Sequence, residues 1–246
     1  MTRILLVHGA FGGAWCWEPV IPGLAAAGHD AQAIDLPGAG EDPTPLSEVS
    51  LEGYGQRICE ALAGGPPALL AGQSMGGMAI TQAAANCPES IAGLVYVSAW
   101  LPTDGQSLIA LTQEPEAAGD QVQANLVVDG DPPIARLPAE AAPGAIYNCA
   151  PAAAAAAAAA RLGPQPVAPF TLPFTLGAAA DRARFAALPR AYISCLQDRA
   201  IMPAMQRRMY TEAGCDPVIE IDTDHSPWLS ATDELVAALV RIADGW

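Results

Sequence analysis

The sequence predicts an α/β protein with a doubly wound, mainly parallel six-stranded sheet, helices on both faces and one inserted segment. Short apolar runs, typical of strands buried on both faces of a parallel sheet, alternate along the chain with stretches of helical pattern. Strands that alternate with helices form right-handed crossovers, which bring successive strands parallel. Hydrophobic residues make up 52% of the 246 residues and charged residues 15%, so the chain can bury a large core and intrinsic disorder is excluded.

The predicted strands and helices alternate in the first and the last part of the chain. Strands are predicted over residues 4–7, 31–35, 68–72, 93–98, 191–196 and 218–222. Helices are predicted over residues 17–27, 51–63, 75–86, 203–213 and 232–243. The sheet and its helices are therefore expected to occupy residues 1–101 and 190–246.

The interval 102–189 interrupts this alternation. It contains no convincing strand of the main sheet and is rich in Ala, Pro and Gln, which indicates a cap inserted over the carboxyl edge of the sheet. Nine consecutive alanines at 152–160, with Pro151 before them and Arg161 after them, predict a short helix. This helix either forms a small-residue wall of a binding pocket or reflects compositional bias at a tolerant position. We favour the second interpretation because alanine carries no chemistry of its own.

The charge of the chain narrows its expected partners. The chain has 11 Lys plus Arg against 26 Asp plus Glu, which gives a net charge of −15. Nucleic acids and anionic membrane surfaces attract basic faces, so neither is expected as a partner. No stretch of about 18 residues is free of Pro, Gly and charge, so no membrane-spanning helix is expected. The sequence leaves the oligomeric state open, a homodimer included.

The cysteines and histidines show no metal-binding pattern. The six cysteines are scattered without a C-x-x-C pair: Cys16, Cys59, Cys87, Cys149, Cys195 and Cys215. An even number permits disulfides, but with no signal-peptide pattern at residues 1–9 a cytoplasmic chain with buried free thiols is the favoured interpretation. None of the three histidines lies at metal-ligand spacing from another ligand type, so we expect neither a metal nor a cofactor.

The strongest functional signal is the motif Gly72-Gln73-Ser74-Met75-Gly76. It ends a predicted strand and begins a predicted helix, which is the context that a nucleophilic serine on a tight turn requires. Gly72 and Gly76 are needed where side chains would collide between strand and helix. The amino terminus of the helix also favours the negative charge that develops during attack. Ser74 is therefore the predicted nucleophile, and the alternative is a glycine-rich turn with an incidental serine.

A nucleophilic serine needs a base, and the chain offers three histidines. His225 follows the last predicted strand, where a loop at the carboxyl edge of the sheet can bring the imidazole over Ser74. His8 ends the first predicted strand, and His29 lies in a helix-to-strand turn. We predict His225 as the general base and acid, with a surface-loop histidine as the alternative.

The third member should be a carboxylate that lies between the serine and the histidine in the sequence. Asp198 follows the strand at 191–196, one strand before His225, and would accept the Nδ1–H and stabilise the imidazolium. Asp222 and Asp224 are rivals very close to His225 in sequence, and Asp104 is a rival after the fourth strand. We predict Asp198 as the acid.

The loop after the first predicted strand is expected to stabilise the oxyanion. Its glycines, in His8-Gly9-Ala10-Phe11-Gly12-Gly13, allow it to approach the serine closely. The amide of Ala10, together with the amide of Met75, is predicted to form the oxyanion hole. His8 is expected to hold the shape of this loop rather than to transfer protons.

Longer stretches of the sequence resemble the branch of the α/β-hydrolase superfamily that contains plant methyl esterases, hydroxynitrile lyases and bacterial pyrethroid-type esterases. The similarity lies in V-H-G-A-F-G-G-A-W-C-W, A-A-G-H, A-I-D-L-P-G-A-G, G-Q-S-M-G-G-M, Y-I-S-C-L-Q-D-R-A-I and D-H-S-P-W-L-S, and it covers nearly the whole chain. The resemblance implies a six-stranded sheet without the two leading strands of longer hydrolases. It also implies Ser74, Asp198 and His225 as the triad, with Ala10 and Met75 as oxyanion donors.

Three positions separate the esterases from the lyases of this branch. The lyases that the chain resembles carry Thr, Glu and Lys at the positions of Gly9, Gln73 and Ser226, and Ser226 cannot supply the cation that departing cyanide needs. We therefore expect a carboxylesterase-type serine hydrolase. A hydroxynitrile lyase-like enzyme and a hydrolase-like receptor with little turnover are the alternatives.

Apolar side chains cluster in the segments predicted to flank Ser74. The expected substrate-binding residues are Phe11, Trp100, Leu101 and Trp228, with Met75 beside them and Phe170 and Phe174 from the interval 102–189. The chain has no Lys, and its net charge is −15. The expected substrate is a small neutral ester with an aromatic or medium-chain acyl group and a small alcohol.

Overall fold

A six-stranded parallel sheet dominates the computed structural model, which describes residues 1–177 and 181–246. The strands in chain order are β1 (Arg3–Val7), β2 (Asp30–Ile34), β3 (Ala68–Ser74), β4 (Ile91–Ala99), β5 (Val127–Asp129), β6 (Ile134–Arg136), β7 (Gln165–Pro166), β8 (Arg190–Cys195) and β9 (Val218–Ile221). The main sheet has the order β2-β1-β3-β4-β8-β9, and each neighbouring pair is parallel. The predicted fold class is confirmed.

The order of the strands places two loops side by side at the carboxyl edge of the sheet. The chain runs from β1 outward to β2 and then returns to place β3 on the other side of β1. In an open parallel sheet, such a change of direction opens a crevice beyond the carboxyl ends of the strands. The loop after β1 and the turn after β3 border this crevice.

Helices flank the main sheet and fill the segment between β4 and β8. In chain order they are α1 (Ile21–Ala26), α2 (Leu51–Leu62), α3 (Gly76–Asn86), α4 (Leu108–Thr112), α5 (Gln121–Asn125), α6 (Ala142–Ala145), α7 (Ala152–Ala159), α8 (Ala168–Thr171), α9 (Arg182–Ala187), α10 (Pro203–Glu212), α11 (Pro227–Ser230) and α12 (Thr232–Gly245). Helix α1 packs on α12, α2 packs on α3, and α10 packs against β8. Across residues 1–177 and 181–246, no helix is long and apolar enough to cross a membrane.

One predicted helix is shorter than expected. A single helix over 17–27 was expected, whereas the structure has a 3₁₀ turn at Ala14–Trp17 followed by α1 at Ile21–Ala26. Pro22 lies in the first turn of α1. Proline is tolerated there because the first amides of a helix have no partner within it, but it disrupts the interior of a helix.

The expectation of free thiols is wrong for two of the six cysteines. Cys59 of α2 and Cys87, directly after α3, form a disulfide with their Cα atoms 6.0 Å apart. Gly55 lets the two helices pack this closely, because a Cβ there would lie 2.7 Å from Cγ of Gln82. The pairing follows from the packing of α2 on α3, which the spacing of the cysteines in the sequence does not reveal.

The segment between β4 and β8 has its own small structure. It carries α4 to α9 and an antiparallel sheet of the order β5-β6-β7, and its described part contributes no strand to the main sheet. The alanine-rich helix α7 buries Ala155, Ala158 and Ala159 and packs on α6. It does not line the cavity described below, so the pocket-wall interpretation of the alanines is not supported.

Candidate active site

Ser74 lies on a sharp turn between β3 and α3. Its φ of 54° is in the left-handed region, which a residue with a side chain rarely adopts and which is common at functional sites. A Cβ at Gly72 would lie 2.6 Å from the carbonyl oxygen of Gly76, and a Cβ at Gly76 would lie 2.8 Å from that of His8. The two glycines therefore allow the close approach that leaves the half-buried Ser74 at the carboxyl edge of the sheet.

His225 lies in the loop that follows β9 and is only 4% exposed. Its Nδ1 donates to Oδ2 of Asp198 at 2.8 Å, and Nε2 of Gln73 donates to its carbonyl oxygen at 2.9 Å. His225 and Ser74 line the same cavity, although no direct hydrogen bond joins them in the described residues. Such bonds are often long before a substrate is bound, so the placement fits a serine and its base.

Asp198 is buried, 2% exposed, and held from several directions. Its two oxygens accept hydrogen bonds from five donors: Ala200 N at 2.7 Å, Ile201 N at 2.9 Å, Gln206 Nε2 at 2.9 Å, His225 Nδ1 at 2.8 Å and the hydroxyl of Ser98. A carboxylate with so many donors is fixed in position and can orient the imidazole bound to it.

The surroundings of His225 favour its protonated form. Burial is the largest single influence and lowers the pKa of the imidazole. The charge and the hydrogen bond of Asp198 act in the opposite direction and together outweigh burial. The charges of Asp120 and Asp224 add to this effect, so the pKa of His225 is raised above its usual value. The ring is thus suited to hold a proton taken from a nucleophile.

The three rival carboxylates are engaged elsewhere. Asp104 accepts from the amide of Leu176 at 2.9 Å, Asp222 from Nε2 of Gln197 at 2.9 Å, and Asp224 from the amides of Cys149 at 2.6 Å and Ser226 at 3.0 Å. Among these four aspartates, the hydrogen bond to the His225 ring belongs to Asp198.

Two residues that support Asp198 were missed in the sequence. Ser98 is the extra residue of a bulge in β4, because Gln73 of β3 pairs with Val97 and Ser74 pairs with Ala99. Its φ of 45° goes with this bulge, and its hydroxyl donates to Asp198. Gln206 of α10 is fully buried and donates to Asp198. A glutamine or a serine within a regular element gives no signal in the sequence for such a role.

The loop after β1 brings the amide of Ala10 near Ser74, and the amide of Met75 directly follows Ser74 in the chain. A Cβ at Gly9 would lie 2.8 Å from Cβ of Ser74, so only glycine permits this approach. The amides of Ala10 and Met75 donate no hydrogen bond within the described residues, and both residues line the cavity. Free amides next to a nucleophile are suited to receive a developing oxyanion.

His8 maintains this loop through both of its ring nitrogens. Its Nδ1 donates to the carbonyl oxygen of Gly9 at 2.7 Å, and its Nε2 accepts from the amide of Leu36 at 3.1 Å. Burial lowers the pKa of His8, which keeps the ring neutral and matches this use of one donor and one acceptor. His29 lies away from the cavity, with its Nε2 3.5 Å from Oδ1 of Asp244.

A cavity lies between the carboxyl edge of the sheet and the segment 102–189. Of the predicted apolar residues, those that line it are Phe11, Met75, Trp100, Phe170 and Trp228. Trp228 is held in place by edge-to-face contacts with Trp15 at 5.3 Å and Tyr147 at 5.9 Å between ring centroids. A cavity with such walls is suited to an apolar ligand.

The structure does not place Leu101 and Phe174 in the cavity, contrary to expectation. Leu101 is buried with its amide 3.4 Å from the sulfur of Met209 in α10. Phe174 is 1% exposed and stacks on Phe185 of α9 with ring centroids 5.9 Å apart. Both side chains are part of the hydrophobic core.

The polar groups of the cavity do not form a metal site. Within residues 1–177 and 181–246, no group of three or more His, Cys, Asp and Glu side chains is placed to hold a metal ion. Asp120, at the start of α5, lines the cavity and was not singled out in the sequence. The arrangement can support nucleophilic attack by a serine with an imidazole as the proton carrier.

Comparison with known proteins identifies the family. Residues 4–238 match the model of the alpha/beta hydrolase family, and the chain belongs to this family. Methylesterase 7 of Arabidopsis thaliana is 31% identical over 252 residues, covering 98% of this chain and 96% of the relative. Polyneuridine aldehyde esterase of Rauvolfia serpentina is 29% identical over 258 residues, covering 98% of this chain and 96% of the relative.

Solved structures show the same similarity. The crystal structure of a pyrethroid hydrolase from Sphingobium faniae JZ-2 has a TM-score of 0.83 and 26% identity, covering 99% of this chain and 97% of that chain. The crystal structure of polyneuridine aldehyde esterase has a TM-score of 0.86 and 27% identity, covering 99% of this chain and 100% of that chain. The chain is an esterase-type hydrolase with the α/β-hydrolase fold.

Proposed function

We propose that the chain is a serine carboxylic-ester hydrolase in which Ser74, His225 and Asp198 form the catalytic triad. The observation that carries this proposal is the hydrogen bond of 2.8 Å between His225 and Asp198 beside a serine held at a φ of 54°. All the required elements, which are a nucleophile, a base, an orienting acid and two free amides, lie at one edge of the sheet.

The proposed reaction proceeds through an acyl-enzyme. Oγ of Ser74 attacks the ester carbonyl carbon while its proton passes to Nε2 of His225. The amides of Ala10 and Met75 stabilise the oxyanion, which then collapses as His225 protonates the departing alcohol. Water then attacks the acyl group, and His225 takes the proton of the water and passes it to Oγ of Ser74. This step releases the carboxylic acid and restores Ser74.

We further propose that residues 102–189 act as a cap that selects the substrate. Phe170 lines the cavity from this segment, and Phe11 and Trp228 line it from the carboxyl edge of the sheet. These walls favour neutral esters with an aromatic or medium-chain acyl group and a small alcohol, and the net charge of −15 disfavours anions.

The nucleophile is tested by replacing it. Ser74→Ala should lower kcat by about 10⁴- to 10⁶-fold while circular dichroism and the thermal midpoint stay close to those of the unaltered chain. A serine-directed phosphonate should modify Ser74 alone, as read by peptide mass spectrometry. Modification at Ser98 or Ser226 with Ser74 untouched would overturn the proposal.

The substrate class is tested with graded esters. In a p-nitrophenyl series from acetate to octanoate and benzoate, each buried methylene should contribute about 0.8 kcal/mol, or roughly fourfold in kcat/KM, until the cavity is full. A steady decline from acetate upward, or better turnover of an ester with a free carboxylate, would show that the site is small or polar.

A further inference from the structure

Asp120 is a cavity-lining carboxylate that the proposed reaction does not use. It begins α5, and its Oδ1 accepts hydrogen bonds from the amides of Val122 at 2.8 Å and Gln123 at 3.0 Å. The residue is only 8% exposed. In the described residues, its Oδ2 has no hydrogen-bond partner and Asp120 takes part in no ion pair. One oxygen thus caps the helix while the other is left open at the cavity.

The surroundings of Asp120 provide no positive charge except the imidazole. Its neighbours along the cavity wall include Leu108, Val122 and Leu126, and neither Lys nor Arg lines the cavity in the described residues. The pKa of Asp120 is raised to about 6 in the folded chain, mainly by burial. The charge of His225 lowers this pKa, and the charge of Asp198 raises it. Near neutral pH the side chain is therefore mainly ionised.

An ionised oxygen in an apolar cavity is unfavourable unless a donor reaches it. The protein leaves this oxygen unpaired although it satisfies the neighbouring Asp198 with five donors. Because Asp120 lines the cavity and this oxygen is not closed off by the protein, a donor on a molecule that enters the cavity can reach it. A protonated amine supplies both an N–H donor and a compensating charge, whereas an alcohol supplies only the donor.

We infer that Oδ2 of Asp120 is a binding site for an aliphatic ammonium group of the substrate. The apolar walls favour neutral over anionic esters, and Asp120 adds a preference for an apolar ester that carries a protonated amine over the neutral ester of equal size. This inference rests on the proposed function, since it names a second recognition element within the same cavity. The amine keeps its proton, and Asp120 acts as a specificity residue that takes no part in bond breaking.

The test compares three ligands of equal length as competitive inhibitors of p-nitrophenyl butyrate hydrolysis: hexylammonium, hexanol and hexanoate. The unaltered chain should bind hexylammonium at least tenfold more tightly than hexanol, and hexanoate most weakly. Asp120→Asn removes the charge but keeps a capping oxygen, since Asn is as good a helix cap as Asp. In this variant the ratio of the hexanol and hexylammonium inhibition constants should fall to near one.

Asp181→Asn is the matched control. Asp181 caps α9 through the amide of Arg184 at 2.9 Å and does not line the cavity, so this variant removes the same charge from a similar position. It should leave the ratio unchanged. An unaltered chain that prefers hexanol, or an Asp120→Asn variant with the ratio of the unaltered chain, would overturn the inference.

Two further measurements keep the outcome independent of folding and of turnover. Asp120→Ser also keeps a capping oxygen and should lose the preference if Asp120→Asn does not fold. Calorimetric titration of hexylammonium into Ser74→Ala, with and without Asp120→Asn, measures binding without catalysis. Binding that depends on Asp120 in a chain that hydrolyses no ester would refute the proposed function and leave the ammonium site standing. Ester hydrolysis by a chain that does not bind hexylammonium through Asp120 would refute the ammonium site and leave the proposed function standing.

Discussion

The carboxyl edge of the main sheet and the segment 102–189 border the same cavity, but they are held together differently. At the edge, side-chain hydrogen bonds join residues far apart in sequence, such as Ser98 with Asp198 and Gln73 with His225. The described part of the segment contains helices of four to eight residues and a three-stranded sheet, and its cavity-lining residues are mainly apolar. We expect substitutions at the edge to change the rate of the reaction and substitutions in the segment to change the choice of substrate.

The largest effect should come from the edge. Asp198→Asn should lower kcat by about 10³- to 10⁴-fold with a modest change in KM, because the amide supports the wrong tautomer of His225. The measurement is steady-state hydrolysis of a p-nitrophenyl ester. Asp104→Asn is the control, since Asp104 accepts a hydrogen bond from Leu176 and not from His225. This variant should lower kcat far less. A greater loss in Asp104→Asn than in Asp198→Asn would show that the acid has been misassigned.

The next effect concerns stability within the segment. Burial raises the pKa of Asp120 to about 6, above the ordinary value for aspartate, so the folded chain binds this proton more tightly than the unfolded chain. The contribution of Asp120 to the free energy of unfolding therefore falls as pH rises from about 4 to about 6, and it stays at the lower value above pH 6. Asp120→Asn should raise the free energy of unfolding at pH 7 by about 1–3 kcal/mol, and much less at pH 4.

Urea unfolding at pH 4 and pH 7 measures this difference. Asp181→Asn, which removes a carboxylate from an exposed helix cap, is the control variant. An Asp120→Asn variant that is destabilised at pH 7 would contradict the raised pKa of Asp120.

A smaller effect is expected for the apolar wall of the segment. Phe170→Leu should lower kcat/KM for p-nitrophenyl benzoate by about three- to tenfold and leave the acetate ester nearly unaffected, because less apolar surface meets the acyl group. Phe174→Leu makes the same change outside the cavity and should alter stability but not the benzoate-to-acetate ratio. Equal benzoate-to-acetate ratios in the two variants would show that Phe170 does not contact the acyl group.

The smallest effect is the position of the acid limb in the pH profile. The proposed reaction needs the neutral form of His225, and the charge and hydrogen bond of Asp198 raise the pKa of this ring despite its burial. The kcat/KM of a neutral ester should therefore decline with falling pH from above the ordinary histidine value of about 6.5. The profile of kcat/KM between pH 5 and pH 9 measures this limb. A limb well below pH 6 would contradict the proposed coupling of His225 to Asp198.

Most of the fold was predictable because apolar runs mark buried parallel strands. Strand β3 was predicted over 68–72 and extends to Ser74, because pairing with β4 continues after the apolar run has ended. The placement of Ser74, Asp198 and His225 was predictable for the same reason, since Ser74 ends a strand and the other two follow strands at the carboxyl edge. Position along the chain therefore predicts the edge of the sheet well.

The support for these residues could not be predicted in the same way. Ser98 reaches Asp198 only because β4 has a bulge, and Gln206 reaches it only because α10 packs on β8. Asp120 lies at the start of a five-residue helix, which is too short to give a periodic pattern. Leu101 adjoins Trp100 in sequence but packs away from the cavity, because side-chain direction depends on the backbone of a short connection.

The central claim is that Ser74 carries the acyl group during turnover. Rapid mixing with p-nitrophenyl acetate should release a burst of p-nitrophenol close to one equivalent when deacylation limits turnover, and acid-quenched enzyme should carry an acetyl group on the peptide that contains Ser74. Ser74→Ala should show neither the burst nor the modified peptide. A lyase or a receptor would form no acyl-enzyme. Turnover of the ester with no acetyl group on Ser74, or with the group on another residue, would contradict the account.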